Sequence, residues 1–486
     1  MCVSDGFGPA SQAYARQFAQ ERRGLGPTGM TSLDKLLVGS VRTRSASNLI
    51  TDSAAGATAY SCGRKTYNEG VGVGADGKPC GTVLEAAHRA GYRTGLVVTA
   101  PITDATPAAF SSHAAFRWDE DLIAQYQIGN YTLGRSVDLM FGGGMCAYKP
   151  QSVLGSCRKD ERNLFDEARD NYGWTVSNGR AGFDALSTRD GHVNTQKAKL
   201  PLMSLFADKS LAFDVDRNPA SEPALHEMAA KALAILDQAT RDDPDSKGFF
   251  LMIEGSRIDS AAHVNDAVAH VHEILAYHKM IQVVRDYVDA HSEDTVMVST
   301  SDHETGGVTL GRQVGPNYPE YAWRPEVIDR VQNSTGAISN AIMHDSDDRD
   351  EEQDSVLLRF LREVVIDKWL GIEDVTASEL FRLVQASTGA DLQDVLRDII
   401  SERAKIGWTT HGHTAVDVNL YAHGVNADRL RGNHENTDVG QFIAEQLELD
   451  LDAITELIKD EPVRPNRPAV DSFQPDSIEH IYHNLY

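Results

Sequence analysis

Phe249-Phe250-Leu251-Met252-Ile253-Glu254-Gly255-Ser256-Arg257-Ile258-Asp259-Ser260-Ala261-Ala262-His263 opens on consecutive apolar residues, stops at a carboxylate, and runs on into a stretch that can turn helical. The apolar half, Gly248–Ile253, reads as a strand with Glu254 at its end. In a helical second half, Asp259 and His263 stand four residues apart, project from one face and can grip one divalent ion. Taken alone, such a pair is more often a surface contact. The same grammar recurs outward from this stretch. Thr94–Thr99, Thr295–Thr300 and Val416–Tyr421 read as strands. Pro223–Gln238, Asp266–Val288, Ser355–Leu370 and Val439–Leu447 carry apolar residues at three- and four-residue spacing and read as helices. This alternation predicts an α/β protein: a three-layer sandwich with a large, mostly parallel central sheet flanked by helices.

The 486 residues are 41% hydrophobic, ample for a core and neither collagenous nor disordered in composition. No internal repeat is visible, and one large domain over 1–486 is expected. Residues from about 308 to 408 contain Gly/Pro-rich pieces and two helical patterns, and are expected to form a crown or lid insertion above the sheet. The run Asp345–Asp354 reads as a solvated loop, and 461–486, with Pro462, Pro465, Pro468 and Pro475, as a surface tail. No 18-residue apolar run occurs, so no transmembrane helix is expected, and no signal-peptide pattern is seen. Five cysteines match no zinc knuckle or CxxC spacing; Cys146 and Cys157 flank a loop and either pair in an oxidising lumen or remain thiols. The sequons at Asn130 and Asn333 permit a secretory-pathway reading.

A net charge of −25 repels polyphosphate backbones, so nucleic acid is excluded as a partner. It also repels small phosphate esters unless a local positive centre overrides it. Several strand ends supply the means. Asp5 ends the first strand, Glu254 the quoted one and Asp302-His303 another, while His413 precedes Val416–Tyr421. Ligands of open α/β sheets bind beyond the carboxyl ends of the strands. Mixed carboxylates and imidazoles suit Zn²⁺, and all-oxygen sets suit Mg²⁺. The run Thr51-Asp52-Ser53-Ala54-Ala55-Gly56-Ala57-Thr58-Ala59 predicts a helix opening at Ser53, whose first N–H groups would favour an anion and the alkoxide of Ser53. The competing reading is close packing of small residues, with Ser53 as an ordinary N-cap. A P-loop fails, because six residues separate Gly56 from Gly63-Arg64-Lys65-Thr66 where the pattern needs four.

On these residues the sequence resembles an alkaline phosphatase, closest to the fungal vacuolar type. The match is carried by Ser4-Asp5-Gly6, Thr51–Thr58, Thr103-Asp104-Ala105-Thr106-Pro107, Glu254–Asp259, Asp302-His303-Glu304-Thr305-Gly306-Gly307 and His413–Val418, in the family's order. The resemblance implies a phosphomonoesterase with Ser53 as nucleophile, forming a phosphoserine. It implies two zinc ions per subunit, one on Asp259, His263 and His413, the other on Asp5, Asp302 and His303 with Ser53. It further implies one magnesium on Asp5, Thr106 and Glu254. Arg117, thirteen residues after Asp104, falls where the family grips phosphate, the alternative being a surface salt bridge. Asp104 and Asp52 are expected to support these groups from behind. His413 is preferred over His411 because Thr-Ala-Val-Asp-Val follows it; His411 is the candidate for a supporting partner.

A homodimer, small phosphomonoester substrates, and a vacuolar or other secretory lumen are likewise implied by resemblance. Ser260 replaces the His or Lys common after the aspartate, so a contact to phosphate is expected to be missing, which bears on pH optimum. Only four residues precede Asp5, so its strand is expected to be short and its metals more weakly held. The alternatives are a phosphodiesterase or sulfatase of the same superfamily, or an inactive metal-binding luminal protein.

Overall fold

The computed structural model describes residues 1–188, 192–344, 358–386 and 388–463. The acidic run 345–354 and most of the 461–486 tail lie outside the described residues. Fourteen strands occur among them: β1 (Cys2–Ser4), β2 (Leu37–Arg42), β3 (Arg93–Pro101), β4 (Leu139–Gly143), β5 (Thr175–Val176), β6 (Leu202–Leu205), β7 (Phe249–Gly255), β8 (Val296–Thr300), β9 (Glu304–Thr305), β10 (Thr309–Leu310), β11 (Ile406–Gly407), β12 (His413–Thr414), β13 (Val418–Gly424) and β14 (Gly432–Glu435). Ten of them form one sheet in the order β14-β2-β13-β8-β1-β7-β3-β4-β6-β5. Pairing is parallel everywhere except around β13, which runs antiparallel to both β2 and β8. The remaining strands pair as short antiparallel ribbons, β9 with β12 and β10 with β11.

Residues alternate between the two faces of this sheet. Cys2, Val97, Leu251, Ile253 and Met297 join one apolar cluster; Val3, Leu96, Val98, Phe250, Met252 and Val298 join the other. Each such side chain contributes roughly 1.5–3 kcal/mol by leaving water. The first face is covered by α1 (Pro9–Arg22) and the helices Leu225–Arg241 and Ala267–Ala290. The second carries α2 (Ser53–Cys62), α3 (Val83–Ala90), α4 (Ala105–Ser111) and the helix Asn436–Gln446. Helices on both faces of a sheet, mostly parallel, are the three layers that the alternation predicts.

Between β10 and β11 lie the helices Pro325–Arg330, Thr335–His344, Ala377–Gln385 and Gly389–Ala404. Their apolar residues Ile328, Ile338, Leu383 and Leu396 bury in the cluster that holds Tyr14 of α1. The expected helix Ser355–Leu370 is wound differently. Leu361–Trp369 is π-helical, and its wider turn places Leu361, Val365 and Ile366 on the buried side. Cys146 and Cys157 form a disulfide, as do Cys62 and Cys80, a pairing that no sequence spacing suggested. Among the described residues no helix is long and apolar enough to cross a membrane.

Strand direction positions the site. Val3 of β1 sits opposite Glu254 of β7 and Thr300 of β8, so Asp5 and Asp302, each two residues further on, emerge at one edge of the sheet. Because β13 runs the other way, the segment entering it meets that same edge, which is why His413 precedes its strand while the other groups follow theirs.

Candidate active site

Ser53 opens α2, but the cap is its neighbour. Asp52 is extended, and its Oδ1 accepts from Ala55 N at 3.0 Å. This corrects the reading of Ser53 as N-cap: Ser53 Oγ is hydrogen-bonded to His303 Nε2 instead, at 3.1 Å. Gly56, one turn on, lets α2 lie against Asp302: a Cβ there would stand 2.9 Å from the Asp302 Cβ. The small-residue run therefore serves close packing and an exposed N-terminus together.

Two groups of donors converge beside Ser53. In one, His263 Nε2 is 3.2 Å from Asp259 Oδ2, His413 Nε2 is 3.7 Å from Asp259 Oδ1, and the two Nε2 atoms are 3.1 Å apart. In the other, His303 Nε2 lies 3.2 Å from Asp302 Oδ2 and 3.6 Å from Asp5 Oδ1. The groups adjoin, with the His303 and His413 rings stacked at 3.5 Å between centroids. Gly6, at φ +70, makes the approach possible, since a Cβ there would meet Asp259 at 2.7 Å.

The tautomers follow from the acceptors. His263 Nδ1 faces the His411 carbonyl at 2.5 Å and His413 Nδ1 the Thr51 carbonyl at 2.8 Å; a carbonyl cannot donate, so both Nδ1 atoms carry the proton. Thr305 Oγ1 spends its own proton on Asp259 Oδ1, so His303 Nδ1, 3.2 Å away, also donates. In their neutral forms all three rings then turn an Nε2 lone pair inward, the arrangement metal-ligating histidines show. His413 and not His411 reaches Asp259; His411 orients His263 through its backbone. Those carbonyls and Thr305 were missed in the sequence, where a backbone acceptor leaves no residue-type mark.

Behind these groups lies an all-oxygen set. Glu254 ends β7 and accepts from Ser256 Oγ at 2.7 Å. Thr106 sits in the first turn of α4, which Asp104 caps by accepting from Ala105 N at 2.7 Å. Arg117 joins the two capping residues: its Nη2 donates to Asp104 Oδ1 at 2.9 Å, and its Nη1 is 3.6 Å from Asp52 Oδ2. The paired guanidinium is mostly buried, and its buried Nε has no acceptor among the described residues.

The electrostatics call for cations. Burial, followed by the Asp302, Asp259 and Glu254 carboxylates, raises Asp5 well above the usual range. Burial and then Asp104 push Glu254 up to about 8, and burial with Asp259 pushes Asp302 up to about 7. Burial and the neighbouring His263 take His413 down to about 4. Among the described residues, buried Asp5 Oδ1 and Asp302 Oδ2 have no hydrogen-bond partner. Unpaired buried oxygens cost free energy unless something positive meets them. Divalent ions fit this donor set, and Asp5, Asp302 and His303, like Asp259, His303 and His413, present ligand atoms within 4.8 Å of one another. Ser53, Arg117, Asp259, Ser260, His263 and His413 line an open cleft of about 850 Å³. The remaining donors are buried and do not line it.

Fold and site together define an α/β protein that gathers carboxylates and imidazoles able to hold divalent ions beside one serine, at the carboxyl edge of a mostly parallel sheet. The family model for alkaline phosphatase matches residues 1–449. The chain is 46% identical to the repressible alkaline phosphatase of Saccharomyces cerevisiae over 94% of its own length and 82% of that protein's. It is 46% identical to an alkaline phosphatase of Schizosaccharomyces pombe, over 97% and 85%. Among solved structures, the cold-active alkaline phosphatase of Shewanella sp. superposes with a TM-score of 0.74 at 30% identity, covering 92% of this chain and 98% of that one. The Thermus thermophilus alkaline phosphatase gives 0.74 at 25% identity, over 95% and 94%. The chain belongs to the alkaline phosphatase family. It is a hydrolase of phosphate monoesters, and the diesterase, sulfatase and inactive readings fall away.

Proposed function

We propose that this chain hydrolyses phosphate monoesters through a phosphoserine on Ser53. The observation that carries the reading is a Ser53 hydroxyl at a helix N-terminus, hydrogen-bonded at 3.1 Å to the His303 imidazole, which itself faces the Asp5 and Asp302 carboxylates. Asp259, His263 and His413 would hold one zinc ion, Asp5, Asp302 and His303 with Ser53 a second, and Asp5, Thr106 and Glu254 a magnesium. Bound there, these cations supply Lewis-acid polarisation and lower the pKa of the Ser53 hydroxyl.

The chain's own groups do the rest. Ser53 Oγ attacks phosphorus in line, and the P–O bond to the alcohol breaks as the serine ester forms. The departing oxygen takes up a proton and the alcohol leaves. The N-terminal N–H groups of α2 favour the negative charge gathered at Ser53. Arg117, already fixed by Asp104 and Asp52, can turn its forked donors on two phosphoryl oxygens in both halves of the reaction. Water then cleaves the phosphoserine on the opposite side and releases phosphate. Ser260 brings no positive charge to that phosphate.

The disulfides Cys62–Cys80 and Cys146–Cys157 favour an oxidising lumen, in keeping with a vacuolar or secretory setting. Glycosylation at exposed Asn333 fits the same setting. A homodimer accompanies this reading by family resemblance and is checked by light scattering. The deciding experiment is Ser53→Ala. It should keep its zinc and magnesium by elemental analysis and lose nearly all turnover of a monoester; full turnover would overturn the assignment.

A further inference from the structure

The cleft continues beyond the reacting centre, and part of its lip is built from residues that phosphate chemistry does not use. Leu49 and Ile50 are 69% and 45% exposed, high for large aliphatic side chains, and both line the cleft onto which Ser53 opens. They are joined rigidly to the site. The next residue, Thr51, accepts from His413 Nδ1 at 2.8 Å, and Asp52 caps the helix that carries Ser53. Trp118 lines the same cleft, its ring 5.2 Å from the Arg117 guanidinium. Single exposed apolar residues need no explanation. Here two exposed ones and the half-buried Trp118 share a cleft, Leu49 and Ile50 immediately before the nucleophile motif and Trp118 immediately after the arginine.

The cleft measures about 850 Å³, within the span of roughly 300–1,000 Å³ that encloses whole small ligands. A phosphoryl group fills a small part of it. The geometry points to a subsite for the alcohol portion of the substrate, an apolar shelf of Leu49, Ile50 and Trp118 that receives a flat, weakly polar leaving group such as a nucleobase-bearing ribose. This rests on Ser53 being the reacting centre. A polyol keeps its hydration and gains little from the shelf. A flat ring removes its own apolar area and that of the shelf from water together. Binding energy realised on this remote part of the substrate is available to hold the reacting phosphorus in place.

The test compares kcat/KM for adenosine 5′-monophosphate and ribose 5-phosphate on the metal-loaded full chain. Both esters leave from the same primary ribose carbon, so their difference isolates the base. The unaltered protein should favour the nucleotide by roughly tenfold. Leu49→Ser with Ile50→Ser should bring the ratio to within about twofold of unity, while Leu49→Met with Ile50→Val should retain most of it. A ratio near unity in the unaltered protein, or equal losses on both esters in the serine variant, would overturn the subsite while leaving the Ser53 reading intact. A changed oligomeric state with unchanged selectivity would assign the lip to subunit contact, and so overturn it too. Failure to cleave either ester would sink both readings.

Discussion

Arg117 gathers in one side chain what several elements contribute. Asp104 and Asp52 each cap a helix with one oxygen and hold the guanidinium between them, so the group proposed to meet phosphate is fixed before substrate arrives. Removing it deletes charge-assisted hydrogen bonds worth about 1.5–3 kcal/mol each. Arg117→Ala should therefore lower kcat/KM for monoesters by roughly a hundredfold and weaken product inhibition by phosphate. Arg117→Lys should restore only part, because an ammonium cannot fork onto two oxygens. Steady-state kinetics with and without added phosphate decide it. At this scale the sequence exposes residue types and hides partners. The small-residue run located Ser53, yet which of two adjacent capping residues bonds Ala55 N is settled only by the entry of the chain into α2. In the same way, the Thr51 and His411 carbonyls that fix two imidazole tautomers could not be read beforehand.

At the scale of elements, the site depends on how closely α2 meets its neighbours. Gly56 faces Asp302 on one side, and Gly440 of the helix Asn436–Gln446 meets the Ala59 and Tyr60 carbonyls on another. Gly56→Ala would gain up to about 1 kcal/mol of helix propensity. It would also press a methyl to 2.9 Å from the Asp302 Cβ and 3.1 Å from its carbonyl oxygen, an overpacking cost of about 1–3 kcal/mol. The expected outcome is a melting temperature lowered by a few degrees, with a larger loss of kcat/KM because a candidate ligand moves; activity matching the unaltered chain would show that the contact does not position Asp302. The strands leading to the candidate ligands were mostly legible, since β3, β7 and β8 each contain consecutive apolar residues, 96–98, 249–253 and 296–298, and the short β1 was read from its ending at Asp5. β2 and β14 were not. Both are largely half-buried or exposed, held by pairing with segments far along the chain rather than by their own pattern. The reversed direction of β13, which explains His413, is likewise a property of topology.

For the whole molecule the governing fact is a net charge of −25 folded around a further concentration of acid. Asp5, Glu254 and Asp302 all have carboxyl pKa values raised by burial and then by a neighbouring carboxylate, Asp302 for Asp5, Asp104 for Glu254 and Asp259 for Asp302, with Glu254 pushed up to about 8 and Asp302 to about 7. A carboxyl raised on folding binds a proton in the native state that the unfolded chain releases near its ordinary value of about 4. Without metal, these carboxyls contribute stability that is lost as pH rises from about 4 through 8, because folding then confines charges that the unfolded chain keeps in water. Below about 6.5 the buried His413, His270 and His278 oppose them, since burial holds each down to about 4 and the unfolded chain alone takes up those protons. Divalent cations reverse the carboxyl effect, since they favour the ionised forms and bind them more tightly as protons leave. The melting temperature of the chelator-stripped protein should decline between pH 7 and 9, while that of the metal-loaded protein stays nearly level or rises. The gap between them should widen by on the order of 10 °C in calorimetry across that range. Two parallel curves would mean that these carboxylates do not meet cations in the folded chain.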